Sequence, residues 1–479
     1  MLFPTATFAI FFIVVLPLSW LLQPRPERWR PFIIAASFVF YAGWDWRFCF
    51  LLAFSIVWNY GLAVAINSRS SKRARKQFLV IALAGNLGLL GYFKYYDFFV
   101  TSTNNLFALV GLDLPLEARS ILLPVGISFF TFMGIAYVVD VYRGDFAPVR
   151  LGTFAAYLSF FPHLVAGPIQ RASFLLPQVE EKRTFSVDRA ASGFYLMVWG
   201  FFKKLVIADN VGVIANYLAA NIVDEVFGAP NQHSSLEVLV GIYAYAVQIY
   251  ADFLGYTNIA IGIALVLGFQ FPQNFDAPYA ATSITDFWRR WHMTLSRWLR
   301  DYLYIPLGGN RGGTLLTYRN LMLTMLIGGL WHGAGWTFVV WGGIHGTALC
   351  VERWWRGRPG FVERPWTRGR RAWHRFVTFQ VVCFAWIFFR SDSFADAWDL
   401  IQRLFTAWGE PSPLVTWGVA AAIVVGIGSQ YLPRRLPLRI MARFSRLPIP
   451  AQAVVLSLAL LVIHAMGPEG VAPFIYFQF

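Results

Sequence analysis

The chain is 479 residues long, 57% hydrophobic and only 14% charged, with a formal net charge of +15. A soluble protein of this length would present charged surfaces over several domains, whereas apolar runs here recur from Thr5 to Met466, which points to one polytopic membrane domain. The positive excess falls in short loops between apolar runs, so it is read as membrane topology and headgroup contact, with no nucleic-acid partner.

The first run, Leu2 to Leu22, has no basic leader or small-residue cleavage site and is followed by Arg25, Arg28 and Arg30. It reads as a retained span. Basic clusters at Arg25 to Arg30, in "SRSSKRARK" from Ser68, in the segment from Arg353 and in that from Arg434 mark cytoplasmic loops by the positive-inside rule. Phe32 to Ile66 then forms a hairpin turning at "GWDWR", and both termini fall outside the cytoplasm. Continued along the chain, the pattern predicts an all-α fold of about 10 to 12 spanning helices with interfacial and re-entrant pieces. It divides into N-terminal spans (1–145), a central part carrying the polar motifs (146–352) and C-terminal spans (353–479). Cys49, Cys350 and Cys383 are far apart, without metal-ligand or disulfide spacing.

Between Phe146 and Asn320 prolines break the apolar stretches. Broken backbone at membrane depth needs protein or water around it, so this region and the apolar run after Asn320 are expected to build the functional centre. "FWRRWHMTLSRWLRDYLYIPLGGNR", from Phe287, gathers five arginines and three tryptophans around His292. Ser283 and Asp286 resemble a capping box, and Pro306, Gly308 and Gly309 supply a stop, which predicts a helix over about 284–304. Trp288, Trp291, Leu295, Trp298, Leu299 and Tyr302 would share an arc about 120° wide, opposite Arg289, Arg290, Arg297 and Arg300. Such a helix lies along an interface. His292, at the edge of the apolar arc, suits a site residue or a hydrogen-bonded structural histidine, and the arginines suit phosphate binding or headgroup anchoring.

"LTMLIGGLWHGAGWTFVVWGGIHGTALC" is an apolar run of about 30 residues with His332 near its middle, longer than the ~20 needed to cross. An ionisable residue there is functional by default. Gly328, Gly329, Gly333 and Gly335 either let helices approach closely or admit a narrow substrate to the imidazole. His345 is the weaker candidate. No H-E-x-x-H or Cys/His ladder argues for a metal, and no G-x-S-x-G or Walker A loop appears, so histidine is the most credible catalytic group.

With "FFPHLVAGPIQR" from Phe160 and the closing "FIYFQF" added to the two histidine motifs, the chain resembles the membrane-bound O-acyltransferases. The likeness is to the bacterial branch typified by the membrane subunit of alginate O-acetyltransferase. The resemblance implies an inner-membrane enzyme whose helices surround a funnel or tunnel. His332 would be the catalytic residue and His292 its partner. A thioester donor, acetyl-coenzyme A, would be used from the cytoplasmic side without a bound cofactor, and extracytoplasmic acetyltransferase or esterase-like proteins would be partners. The phosphates of such a donor would meet Arg289, Arg290, Arg297, Arg300 and Arg311. Trp288 and Trp331 would line a dry channel, and Asp252 and His163 would either line the cavity or make structural hydrogen bonds. "ADFLGYTNIAIG" from Ala251 departs from the family pattern at Leu254 and Asn258, which bears on acceptor or partner identity. Lys203 and Lys204 either snorkel to the interface, the favoured reading, or reach a phosphate or a carrier protein. A transporter or a non-catalytic scaffold are the competing classes.

Overall fold

The computed structural model describes residues 1–112, 116–165, 167–209, 222–362, 364–433, 435–466 and 474, so Ala166 and 475–479 of the quoted motifs lie outside the described residues. Every regular element among these is helical. The elements are α1 (Ala6–Leu22), α2 (Pro26–Ala42), α3 (Phe48–Asn67), α4 (Lys72–Leu90), α5 (Tyr96–Ala108), α6 (Ile127–Arg143), α7 (Leu151–Ser159), α8 (Phe161–Leu164), α9 (Ala172–Glu180) and α10 (Val187–Phe201). They continue with α11 (Ile222–Gly228), α12 (Ser235–Val266), α13 (Ile284–Trp288), α14 (Met293–Leu299), α15 (Thr314–His332) and α16 (Trp336–Arg356). The last are α17 (Arg368–Arg390), α18 (Phe394–Thr406), α19 (Trp417–Gly428), α20 (Arg435–Ser445) and α21 (Ile449–Met466). Among the described residues six helical stretches are long and apolar enough to cross a membrane, and two shorter apolar ones, Ala6–Leu22 and Trp417–Tyr431, accompany them. The protein is a multi-pass membrane protein.

The chain forms two compact units, residues 1–193 with 263–272, and residues 194–262 with 273–479. In the first, α2 and α3 are joined by a short turn at "GWDWR", as the loss of apolar pattern there implies. α3, α4 and α6 pack together around a buried amide pair: Asn86 Nδ2 donates to Asn59 Oδ1 at 2.8 Å, and Asn59 Nδ2 to Asn86 Oδ1 at 3.2 Å. Each amide satisfies the other where water is absent. Gly134 of α6 sits directly against this pair, because a Cβ there would come within 2.6 Å of Asn59 Nδ2. The 263–272 segment is tied to the same unit by Trp20 Nε1 donating to Val266 O at 3.0 Å and by the Arg183 guanidinium 3.5 Å over the Phe269 ring.

In the second unit the hairpin of α15 and α16 is the most closely packed helix pair. The single 30-residue run of the sequence is therefore two helices, broken at Gly333 to Gly335, and His332 is the last residue of α15, not the middle of a span. A Cβ on Gly329 would lie 2.2 Å from Phe338 O, and one on Gly342 2.2 Å from Met325 O. The two backbones touch at this crossing, and no side chain fits between them. Gly333 is filled by the Phe338 ring, 2.1 Å from where its Cβ would be. Gly329 and Gly333 thus serve close packing.

Candidate active site

The expected 284–304 helix is three pieces: α13, α14 and a wider π-type turn at Arg300–Tyr304. Its start and stop follow the sequence. The Asp286 N–H donates to Ser283 Oγ at 3.1 Å, and Gly308 and Gly309 have φ of +110° and +58°. The break falls on the histidine itself. His292 has φ +40° and ψ +54°, a left-handed conformation that side chains with a Cβ adopt only when their surroundings require it. Hydrogen bonds to one asparagine supply that requirement. Met293 N–H donates to Asn274 O at 2.9 Å, and Asn274 Oδ1 accepts from Thr294 N–H at 3.1 Å and from Thr294 Oγ1 at 2.9 Å.

The same Oδ1 lies 3.1 Å from His292 Nδ1. A backbone N–H can only donate, so the amide atom facing Thr294 is the oxygen and the asparagine orientation is fixed. His292 Nδ1 must then carry the proton, and Nε2 is left as a lone-pair acceptor. Among the described residues nothing hydrogen-bonds Nε2. Burial pushes this imidazole well down, to about 3, so it is neutral. Phe253 of α12 meets its ring edge-on at 4.6 Å.

The break also carries the chain from Trp291 to His292, so that both are fully buried while Arg289, Arg297 and Arg300 stay exposed. The two-sided character of this segment survives its fragmentation. His332 is buried, with its ring centroid 6.5 Å from that of His292. Around it stand Trp331 at 5.0 Å, Trp341 at 4.9 Å and Phe389 of α17 at 5.4 Å. At this separation the two histidines' ring nitrogens stay about 4 Å or more apart, beyond the ~3 Å of a direct hydrogen bond. One hydroxyl between them could touch both.

His345 is also buried, stacked on Phe287 at 5.9 Å and edge-on to Trp341 at 4.9 Å and Trp288 at 5.1 Å. Trp288 in turn lies 5.7 Å from Trp341, one ring away from His332. Trp331 is 6.1 Å from His292 and so touches both histidines. His163 belongs to the first unit, enclosed by Tyr157, Phe160 and Phe271.

The arginines do not form one cluster of equivalent cations. Arg290 is half-buried and paired with Asp286 at 2.7 Å, and Arg300 pairs with the adjacent Asp301 at 2.6 Å. Arg289, Arg297 and Arg311 are exposed. Lys204 corrects a sequence expectation: its side chain is 2% exposed and does not snorkel. It lies 2.6 Å from Asp209 and 2.7 Å from Asp252. Gly200 and Gly255 bring the backbones there together, a Cβ on Gly200 being 2.7 Å from Gly255 O. Lys203 lies 5.1 Å from the Trp199 ring centroid instead. Asp252 thus anchors α12 one residue before Phe253, which packs on His292.

Asn274, Phe253, Trp341 and Phe389 escaped the sequence reading. Asn274 alone left a signal, a polar residue in the proline-broken "FPQNFDAP", while the others are aromatic residues among many. Asn274→Leu removes the acceptor that fixes the His292 tautomer. It is expected to lower turnover by about 10- to 100-fold with little change in donor KM, and to broaden or shift the His292 ring-proton NMR signal. An unmoved signal would mean that Asn274 only braces the turn.

The family model for membrane-bound O-acyltransferases matches residues 138–394, which include α15, α16 and the whole α13–α14 segment. The chain belongs to the membrane-bound O-acyltransferase family. This O-acyltransferase is 42% identical over 85% of its length to "Probable alginate O-acetylase AlgI" of Pseudomonas aeruginosa, covering 75% of that protein. It is 37% identical to the protein of the same name from Pseudomonas putida, over 95% of both chains. It is also 37% identical to the peptidoglycan O-acetyltransferase of Helicobacter pylori, over 79% of this chain and 73% of that one. Membership of this enzyme family sets the transporter and scaffold readings aside.

Proposed function

We propose that this O-acyltransferase moves an acetyl group from acetyl-coenzyme A to hydroxyls of an extracytoplasmic polysaccharide of the alginate or peptidoglycan kind, directly or through a partner protein. The names of its relatives support the acetyl group and the acceptor class. The observation that carries the chemistry is the pair of buried imidazoles 6.5 Å apart in an aromatic enclosure. Its setting would be a bacterial inner membrane, with both termini and the partners on the extracytoplasmic side.

In this reading His332 is the general base. As the acceptor oxygen bonds to the thioester carbonyl carbon, the hydroxyl proton passes to the imidazole; as the tetrahedral intermediate collapses, the C–S bond breaks and the proton leaves with the thiolate. His292, with its proton fixed on Nδ1, offers the Nε2 lone pair to a second, neighbouring hydroxyl of the acceptor, so that the reacting hydroxyl keeps its one proton for His332. Trp331, Trp341 and Phe389 exclude the water that would hydrolyse the donor. Asp252 acts as a positioning residue through α12, and Trp288 supports Trp341.

Exposed Arg289, Arg297 and Arg311 are the cations available to donor phosphates, with Arg290 and Arg300 already engaged by carboxylates. The test is transfer of label from acetyl-coenzyme A to the polysaccharide fraction in membranes holding the protein and its partners. Label that reaches no carbohydrate or partner would sink the proposal. Replacing Arg289, Arg297 and Arg311 by alanine together is expected to raise donor KM about tenfold while kcat holds; an unchanged KM would remove these arginines from the donor site.

A further inference from the structure

A cavity of about 1570 Å³ lies in the second unit among α15, α16, α17 and the described residues between Arg358 and Trp366, with the start of α13 at one edge. It exceeds the ~300–1,000 Å³ typical of small-molecule sites. None of the histidine-pair residues lines it.

Its lining changes character along its length. One part is aliphatic, with Leu326, Val339, Val340, Ile344, Val377 and Val381. On α16 this apolar wall continues to Ala348 and Val351, so from Val339 to Val351 it extends about 18 Å at 1.5 Å per residue. That is close to one leaflet's half share, about 15 Å, of a ~30 Å hydrocarbon layer. Beyond it comes a belt of Trp355, Trp366 and Trp373, and then Arg356, Arg358, Arg364 and Arg370.

The rim cations differ in what holds them. Arg356 is bound to Glu352 at 2.9 Å, and that glutamate also accepts from Thr285 N–H at 2.9 Å. Arg358 lies 3.4 Å over the Trp355 ring, and Arg370 is 5.2 Å from Trp366 while donating to the Arg364 carbonyl. Among the described residues no carboxylate pairs with Arg358, Arg364 or Arg370. Tryptophan faces orient two of these guanidinium groups without neutralising them.

An aliphatic wall one leaflet deep, an aromatic belt and three arginines with no carboxylate partner among the described residues match the apolar chains, interfacial region and phosphate of one kind of molecule. A coenzyme A thioester would use the cations, but the amide and hydroxyl groups of its pantetheine arm would find few polar partners along the aliphatic wall, and a neutral lipid would leave the cations unused. We propose that this cavity binds a single two-chain anionic phospholipid, phosphate on the arginine rim and acyl chains along α16 and α17. The inference does not rest on the proposed reaction.

The test titrates the full-length protein, purified in mild detergent, with dioleoyl phosphatidylglycerol and separately with dioleoyl phosphatidylcholine, counting bound lipid by native mass spectrometry. One saturable phosphatidylglycerol per chain is expected, with phosphatidylcholine binding about tenfold or more weakly. Replacing Arg358, Arg364 and Arg370 together by glutamine should weaken retention about tenfold or more. Gly343→Leu, which keeps every charge, should also weaken it by filling the floor, where a Cβ has room at 3.6 Å from Leu326. Equal retention of the two lipids, retention unchanged in either variant, or displacement by acetyl-coenzyme A or inorganic phosphate at matched concentration would overturn the assignment.

Discussion

His332→Ala is expected to reduce acetyl transfer by about 10²- to 10⁴-fold, the range for loss of a positioned general base, while the protein stays folded and assembled. The side chain is buried beside Trp331, Trp341 and Phe389, so the measurement pairs turnover with thermal unfolding in detergent. Loss of turnover with unfolding unchanged is the signature of chemistry. Loss of both together would assign His332 to packing. Full turnover would transfer the role of base to His292, whose Nε2 lone pair is set by Asn274.

Lys204→Met is expected to be among the most destabilising single changes in the second unit. Asp209 and Asp252, with side chains 7% and 3% exposed, would lose the ammonium that lies within 2.7 Å of both. Breaking a buried ion pair from one side costs about 3–5 kcal/mol, because the remaining charge cannot be hydrated. The unfolding midpoint in detergent should fall sharply. Adding Asp252→Asn to Lys204→Met should restore part of the loss, since it removes one of the two carboxylate charges that had faced the ammonium. If the double variant is less stable than the single one, Asp252 contributes through contacts other than Lys204. Because Asp252 precedes Phe253 on α12, a surviving Lys204 variant should also show altered His292 packing.

The helical, multi-pass character was legible because it follows from composition and from apolar runs measured against bilayer thickness. The capping box at Ser283 and the glycine stop after Pro306 are local signals, and both appear as read. The interruptions at His292 and at Gly333 to Gly335 were not legible. Periodicity averages over a window, and Trp288 through Tyr302 keep their two-sided pattern across a break that one asparagine, 18 residues earlier in the chain, imposes. A run of 30 apolar residues likewise looks the same as one long helix or two tightly crossed ones. Only the backbone contact at Gly329 and Gly342 distinguishes them. Lys204 was misread for a related reason: the sequence shows a lysine pair beside aromatics, and the partners that bury one of them lie five and 48 residues away.

The crossing of α15 and α16 has a consequence for how such an enzyme could change the size of the group it transfers. Two helices in backbone contact have no side chain left to trim at that point, and enlarging Gly329 or Gly342 would force the hairpin apart. In the proposed reaction, with His332 as base, donor selectivity would therefore be adjustable where His332 faces side chains. Phe389 is such a residue, because it comes from α17 and not from the hairpin. Shortening it would open space beside the imidazole while leaving the α15–α16 crossing in place, making this ring the natural position at which to engineer acceptance of longer acyl groups.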